Sequence, residues 1–211
     1  MSTLCDPRQP LSEIPFVFLD TETTGLSFYK GEDMVEVATV RVQGYKVQSA
    51  WYSLVKPFRQ GRQVPVSQGA FNMHKLSDKD LVDEPLFEEV YPQLLKETEG
   101  AIVVAHNAKF DLQFLANKVL ELGMNLPLWP VLDSVKIAKA WCRNSPKHGL
   151  DNLVYDLRVP REHSHRALTD AFALAGVFYT MALRQPPDEV LLGHVMRVHG
   201  DTMEVVDGLQ K

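Results

Sequence analysis

Cysteine is nearly absent: Cys5 and Cys142 are the only two in 211 residues. Two thiols cannot build a zinc site, and a bridge between a ragged terminus and a helix is not expected. The scarcity points to a reducing, cytoplasmic setting. Long apolar runs are also missing. Stretches such as 101–105 are strand-sized, far short of the ~20 residues a membrane helix needs, so no membrane role is expected. The opening MSTLCDPRQPLSE has neither a basic start nor an apolar segment, which argues against a signal peptide and for a short mobile lead-in. A basic excess is lacking too. The formal net charge of −5 disfavours a passive nucleic-acid binder, unless some acids hold divalent cations and invert the local field. No internal repeat, low-complexity tract or heptad run occurs.

What is present is an ordinary globular composition, 45% hydrophobic and 23% charged, enough for one domain with a sizeable core. The apolar patterning predicts strands over 15–20, 34–43 and 46–56 as an antiparallel meander, with a turn at Gly44 and Tyr45. Residues 58–82 read as irregular. A helix is predicted from Pro85 to about Glu97, a strand over 101–107, a helix over 108–123, a strand over 129–133 and helices over 134–142, 150–157 and about 165–184. This order predicts an α/β domain with a mixed central sheet of about five strands flanked by helices. The expected division is a lead-in over 1–13, a domain over 14–184 and a C-terminal tail or small appendage over 185–211.

Three clusters carry candidate chemistry. In FVFLDTETTG (16–25), Asp20 and Glu22 end an apolar strand and project to one side of it. Paired carboxylates repel unless a cation sits between them. In VAHNAKFD (104–111), Asp111 falls in the first turn of a helix after a strand end, where ligands collect in open α/β sheets. In EHSHRALTDA (162–171), His165 and Asp170 lie five residues apart, about 140° around an ideal helix. They can cooperate only if His165 reaches in from the helix start, with Ser164 as N-cap. Each cluster alone has an ordinary explanation: a solvated strand end, an acid at a helix N-terminus, an exposed histidine pair. Together they supply four carboxylates and one imidazole.

The stretches FLDTETTG, VAHNAKFDLQFL and HSHRALTDA, in the order Asp-x-Glu, Asp, His-x-x-x-x-Asp, closely resemble the DEDDh exonucleases. That family includes the proofreading epsilon subunit of bacterial replicative polymerase, oligoribonuclease and ribonuclease T. The tyrosine variant of the last motif does not occur. The resemblance covers about 14–184 and implies a ribonuclease-H-like fold and 3′→5′ removal of nucleotides. It implies two divalent ions, Mg2+ or Mn2+, which suit oxygen ligands. By the same resemblance Asp20 bridges the metals, Glu22 and Asp170 hold the one that activates water, Asp111 supports the second, and His165 is the general base.

Thr23, with Thr24 and Gly25, would let backbone approach the terminal sugar, though a plain turn is an equal reading. AFNMHKL (70–76) resembles the segment that grips the last nucleotides, with His74 at the terminal nucleotide or phosphate and Met73 and Phe110 against bases. The family often has glycine where this chain has Lys75. Glu36 reads as a structural acid. The leading expectation is an exonuclease on the 3′ end of single-stranded DNA, in proofreading or repair. An exoribonuclease is the second reading, and a non-catalytic nucleic-acid-binding module the third. If the chain serves a polymerase, it does so as a separate subunit, with contact from Pro186 onward.

Overall fold

The computed structural model describes residues 6–162, 165–186, 190–200 and 203–204. Its strands are β1 (Phe16–Thr23), β2 (Met34–Gln43), β3 (Lys46–Leu54), β4 (Phe58–Arg59), β5 (Arg62–Gln63), β6 (Ile102–Ala105), β7 (Pro130–Asp133) and β8 (Met203–Glu204). Its helices are α1 (Gln68–His74), α2 (Asp78–Leu81), α3 (Phe87–Thr98), α4 (Lys109–Glu121), α5 (Ser134–Trp141), α6 (Leu150–Leu157), α7 (Ala167–Leu183) and α8 (Leu192–His199). The main sheet runs β3-β2-β1-β6-β7-β8. β1–β2 and β2–β3 are antiparallel, β1–β6 and β6–β7 parallel, and β7–β8 antiparallel. The five expected strands form the body of this mixed sheet, and the two-residue β8 adds an edge.

β1 is central, and its alternation sorts the molecule. Phe16 and Phe18 point to the face covered by α5, α6, α7 and α8, where Phe178 lies 5.1 Å and 5.5 Å from them between ring centroids. Leu19 points to the opposite face, covered by α3 and α4. By the same period of two, Asp20 and Glu22 continue the α7 face, while Thr21 continues the α4 face. The side chains that reach these three residues therefore come from different helices. α7 is apolar on nearly all sides because it is buried on nearly all sides. Gly176 lets it sit close to the preceding connection: a Cβ there would lie 2.6 Å from Val159 Cγ1.

Three expectations are corrected. Residues 58–82 are ordered: they form the β4–β5 hairpin, α1 and α2. Ser67 caps α1 by accepting from the Ala70 amide at 3.2 Å. The segment lacks a core-facing stripe because α1 presents Phe71 and Met73 to the surface. α7 begins at Ala167, not about 165, because Arg166 and His165 are non-helical, with φ of 64° at His165. Ser164, expected as its cap, lies outside the described residues. Finally, residues 6–13 are packed into the domain rather than leading up to it. Leu11 is fully buried, Leu192 donates to Gln9 O at 3.0 Å, and Gly193 donates to Pro7 O at 2.8 Å. No described helix is long and apolar enough to cross a membrane.

Candidate active site

The two faces of β1 bring the predicted acids together in two ways. On the α7 face, carboxylate oxygens of Asp20, Glu22 and Asp170 lie within 4.8 Å of one another. On the α4 face, Asp111 Oδ1 accepts from the Thr21 amide at 3.1 Å and the Thr21 hydroxyl at 2.7 Å. Asp111 is thus locked beside the trio rather than within it. Its charge still acts on Asp20.

The electrostatics show what this clustering costs. Asp20 is pushed well above the usual carboxylate range, first by burial and then by the charges of Asp111, Glu22, Asp170 and Glu36. Glu22 is pushed up to about 8 by burial, then by Asp170, Glu36 and Asp111. Asp111 is pushed up to about 7 by burial, against the stabilising hydrogen bonds from Thr21. Asp170 is also raised by burial, against Arg161 and His165. Burial pushes all four acids toward their neutral forms, and a bound cation would offset that cost. An all-oxygen donor set suits a hard divalent ion such as Mg2+ or Mn2+.

His165 sits at the mouth of this cluster. Its backbone amide donates to both oxygens of Asp170 at 3.3 Å. The positive φ, costly for a non-glycine residue, lets it approach from outside the helix, as the five-residue spacing requires. Two arginines that the sequence reading passed over hold this corner. Arg161, half-buried, donates to Asp170 Oδ1 through Nε at 3.1 Å and also pairs with Asp151. Arg166 grips Glu36 through two nitrogens at 3.0 and 2.9 Å, and the Ala167 amide adds a third bond at 3.2 Å. Glu36 stands directly opposite Glu22 in the β1–β2 register. Its carboxylate is spent on the start of α7, so the structural reading of Glu36 agrees with its contacts. The i, i+2 alternation of β2 placed Glu36 on the site's face, but nothing local identified Arg166 as its partner.

Beside the acids runs a cleft of about 620 Å³, lined by Glu22, Thr23, Leu26, Met73, Phe110 and His165 among others. Met73 is half exposed to it. Phe110 leans on Phe114 with ring centroids 5.2 Å apart. Thr23 is buried and its hydroxyl donates to Gly25 O at 2.5 Å. A Cβ at Gly25 would meet the Glu32 carboxylate at 2.1 Å, so a larger residue there displaces the end of the Glu32 side chain. Lys75 adopts φ of 63° as the C-cap of α1, the conformation a glycine would take most easily.

His74 departs from expectation. Its Nδ1 accepts from the Leu76 amide at 3.0 Å, which leaves Nε2–H to donate to Thr23 O at 3.2 Å. Burial holds its pKa below the usual histidine value. Both ring nitrogens serve the protein, so His74 braces Thr23 as a neutral ring instead of offering a free donor to a phosphate.

Residues 17–178 match the RNase_T family model, described as exonuclease, and the chain belongs to that family. It is 39% identical over 173 residues to a DNA polymerase III subunit epsilon-like protein of Rhodobacter capsulatus, a match covering 80% of this chain and 24% of that protein. It is 34% identical over 166 residues to a PolC-type DNA polymerase III of Caldanaerobacter subterraneus subsp. tengcongensis, covering 79% of this chain and 11% of that one. The chain therefore spans a quarter or less of the length of these relatives. Among solved structures, exonuclease X in complex with 5′ overhanging duplex DNA matches with a TM-score of 0.63 and 26% identity, covering 85% of this chain and 99% of that one. Exonuclease I matches with a TM-score of 0.71 at 16% identity, covering 82% and 42%. These neighbours share the ribonuclease-H-like fold.

Proposed function

We propose that this chain is a metal-dependent 3′→5′ exonuclease that removes nucleotides from the 3′ end of single-stranded DNA. The observation that supports it most strongly is the convergence of Asp20, Glu22 and Asp170 within 4.8 Å, beside His165 and a nucleotide-sized cleft. Asp20, Glu22 and Asp170 would hold the catalytic ions, with Asp111 supporting the second, partly through water. A bound divalent pair would clamp the phosphate and lower the pKa of the attacking water.

The remaining work belongs to the protein. His165 takes the proton of the attacking water, the task an imidazole at the edge of a metal cluster is suited to. The water oxygen bonds to phosphorus as the bond to the O3′ of the penultimate nucleotide breaks, releasing a nucleoside 5′-monophosphate. Thr23, held by His74, presents backbone to the terminal sugar. Met73 and Phe110 offer apolar surface to bases. Asp170 is kept in register by Arg161, and the start of α7 by the Glu36–Arg166 pair.

The names of the relatives favour work alongside a replicative polymerase, in proofreading or repair. The segment first expected to make that contact is in part already engaged. α8 buries Leu192, Val195 and His199, and the Asp133 amide donates to His199 at 2.8 Å. The scarcity of cysteine in the sequence suits a reducing, cytoplasmic compartment.

End-labelled single-stranded DNA, duplex DNA and RNA, incubated with Mg2+ or Mn2+, test this reading. The expected result is a stepwise 3′ ladder on single-stranded DNA, lost with Asp20→Ala and reduced at least a hundredfold with His165→Ala. Faster turnover of RNA would move the assignment to the exoribonuclease reading. Equal turnover in chelator, or full rate in His165→Ala, would overturn the mechanism.

A further inference from the structure

A second groove, also about 620 Å³, opens on the side of the molecule next to the cleft. Lys30 and Glu32 line both, so the two form one continuous depression. The new part is walled by Tyr29, Lys30 and the β4–β5 hairpin with Arg59 and Arg62. In a chain of net charge −5, three cations converge here around one acid. Glu32 is itself engaged, accepting from the Ser27 amide.

The hairpin register is informative. Arg59 and Arg62 are direct cross-strand partners, an arrangement that destabilises a two-stranded ribbon because like charges face each other. Arg59 is accounted for by folding. It stacks on Phe28 at 3.8 Å, donates to Phe28 O at 2.8 Å and pairs with Glu121 at 3.0 Å. Arg62 is exposed, as is Lys30, and neither side-chain cation has a hydrogen bond or ion pair among the described residues. Tyr29, 69% exposed, presents an aromatic face beside them. Unpaired cations next to an exposed ring, in a groove leading out of a nucleotide-sized cleft, match the requirements of a nucleic-acid backbone: phosphate neutralisation with sequence-tolerant stacking.

We infer that this groove is an extended binding track for the phosphodiester backbone of a nucleic acid whose 3′ end occupies the cleft. Lys30 and Arg62 neutralise phosphates beyond the terminal nucleotide, and Tyr29 supports a base. The inference rests on the exonuclease reading for the polarity of the bound strand. It gives the chain a length preference that the acids and cleft alone would not produce.

The test is competition binding with the full chain in Ca2+, comparing wild type, Arg62→Glu and the Lys30→Glu/Arg62→Glu double variant. The ligands are a thymidine dinucleotide, a thymidine 12-mer and a recessed duplex with a 5′ overhang, each at several salt concentrations. Circular dichroism establishes that the variants fold. The double variant is expected to bind the 12-mer or the overhang duplex about tenfold or more weakly. Its slope of log affinity against log salt should shrink by about 1.4 for two lost single-strand phosphate contacts. The dinucleotide should lose less than twofold. The arm that weakens identifies whether the tracked strand is the one in the cleft or its complement. Unchanged affinity and slope in both arms, or an equal loss with the dinucleotide, overturns the track. Failure of wild type to hydrolyse any nucleic acid with Mg2+ or Mn2+, alongside a length-dependent loss in the variant, removes the exonuclease reading while leaving the track standing.

Discussion

Glu22→Gln should all but abolish nuclease turnover and, in the same molecule, raise the thermal stability of the metal-free protein at pH 8. The sign follows from linkage. Glu22 has a folded-state pKa of about 8, far above the usual value for an unfolded chain. Between those two values the native state binds more protons than the unfolded state, so the metal-free protein loses stability as pH rises through that window. Glutamine keeps the shape and removes the charge. After discounting for the partial solvent access of Glu22, the gain at pH 8 is about 1–3 kcal/mol, or roughly 3–8 °C in Tm for a chain of this size. At pH 4 both proteins are neutral at this position and the difference disappears. Activity should fall on the order of a thousandfold, about 4 kcal/mol of transition-state stabilisation. Melting curves in chelator at pH 4 and pH 8, with rates in Mg2+, read all three effects. A variant no more stable than wild type at pH 8 would show that burying the Glu22 charge among its neighbours costs the fold nothing.

The second large effect lies at Lys118, seven residues beyond Asp111 on α4. Its ammonium is buried and sits 2.6 Å from both Asp33 Oδ2 and Phe58 O. Asp33 also accepts from the Phe58 amide at 2.9 Å and the Met34 amide at 2.9 Å. Its backbone carbonyl accepts from the Thr24 amide at 2.8 Å, and its backbone amide donates to the Thr24 hydroxyl oxygen at 3.0 Å. One buried pair thus ties α4, β2 and the β4–β5 hairpin to the turn that follows the catalytic strand. Lys118→Met should cost about 3–5 kcal/mol, because it leaves a buried carboxylate without its cation. The double change Lys118→Met/Asp33→Asn should recover part of that loss, since the amide needs no counter-charge but keeps an oxygen for only one of the two backbone amides. Urea unfolding of the two variants and wild type measures this directly. A single-variant cost below about 1 kcal/mol would mean the pair is better solvated than its burial implies.

Much of the architecture was legible because period and punctuation agree. β2 was read at its observed bounds, Met34–Gln43, and α6 at Leu150–Leu157. The strands that failed to register were the short β4, β5 and β8, two residues each, too brief to show any alternation. α1 and α2 were missed for other reasons. α1 faces the cleft instead of a core and carries no apolar stripe, so Phe71 and Met73 looked like loop residues, and α2 is four residues long with one core residue, Leu81, too short for any period to show. At the site, Asp20, Glu22 and Asp170 were recoverable from spacing on a strand and at a helix start. Asp111 was recoverable as a residue, but not its commitment to Thr21. The supporting shell was largely illegible. Arg161, Arg166, Lys118 and the neutral role of His74 each depend on a partner between 9 and 130 residues away. No local pattern encodes such distances.

In the proposed mechanism Asp20, Glu22 and Asp170, with Asp111 beside them, would hold a divalent pair. Crystals grown with Mn2+ and a nucleoside 5′-monophosphate, measured at the manganese absorption edge, test it most directly. Two anomalous peaks about 3.5–4 Å apart, with Asp20 touching both, are the expected result. Peaks only elsewhere on the surface, or none at the three carboxylates, would contradict it.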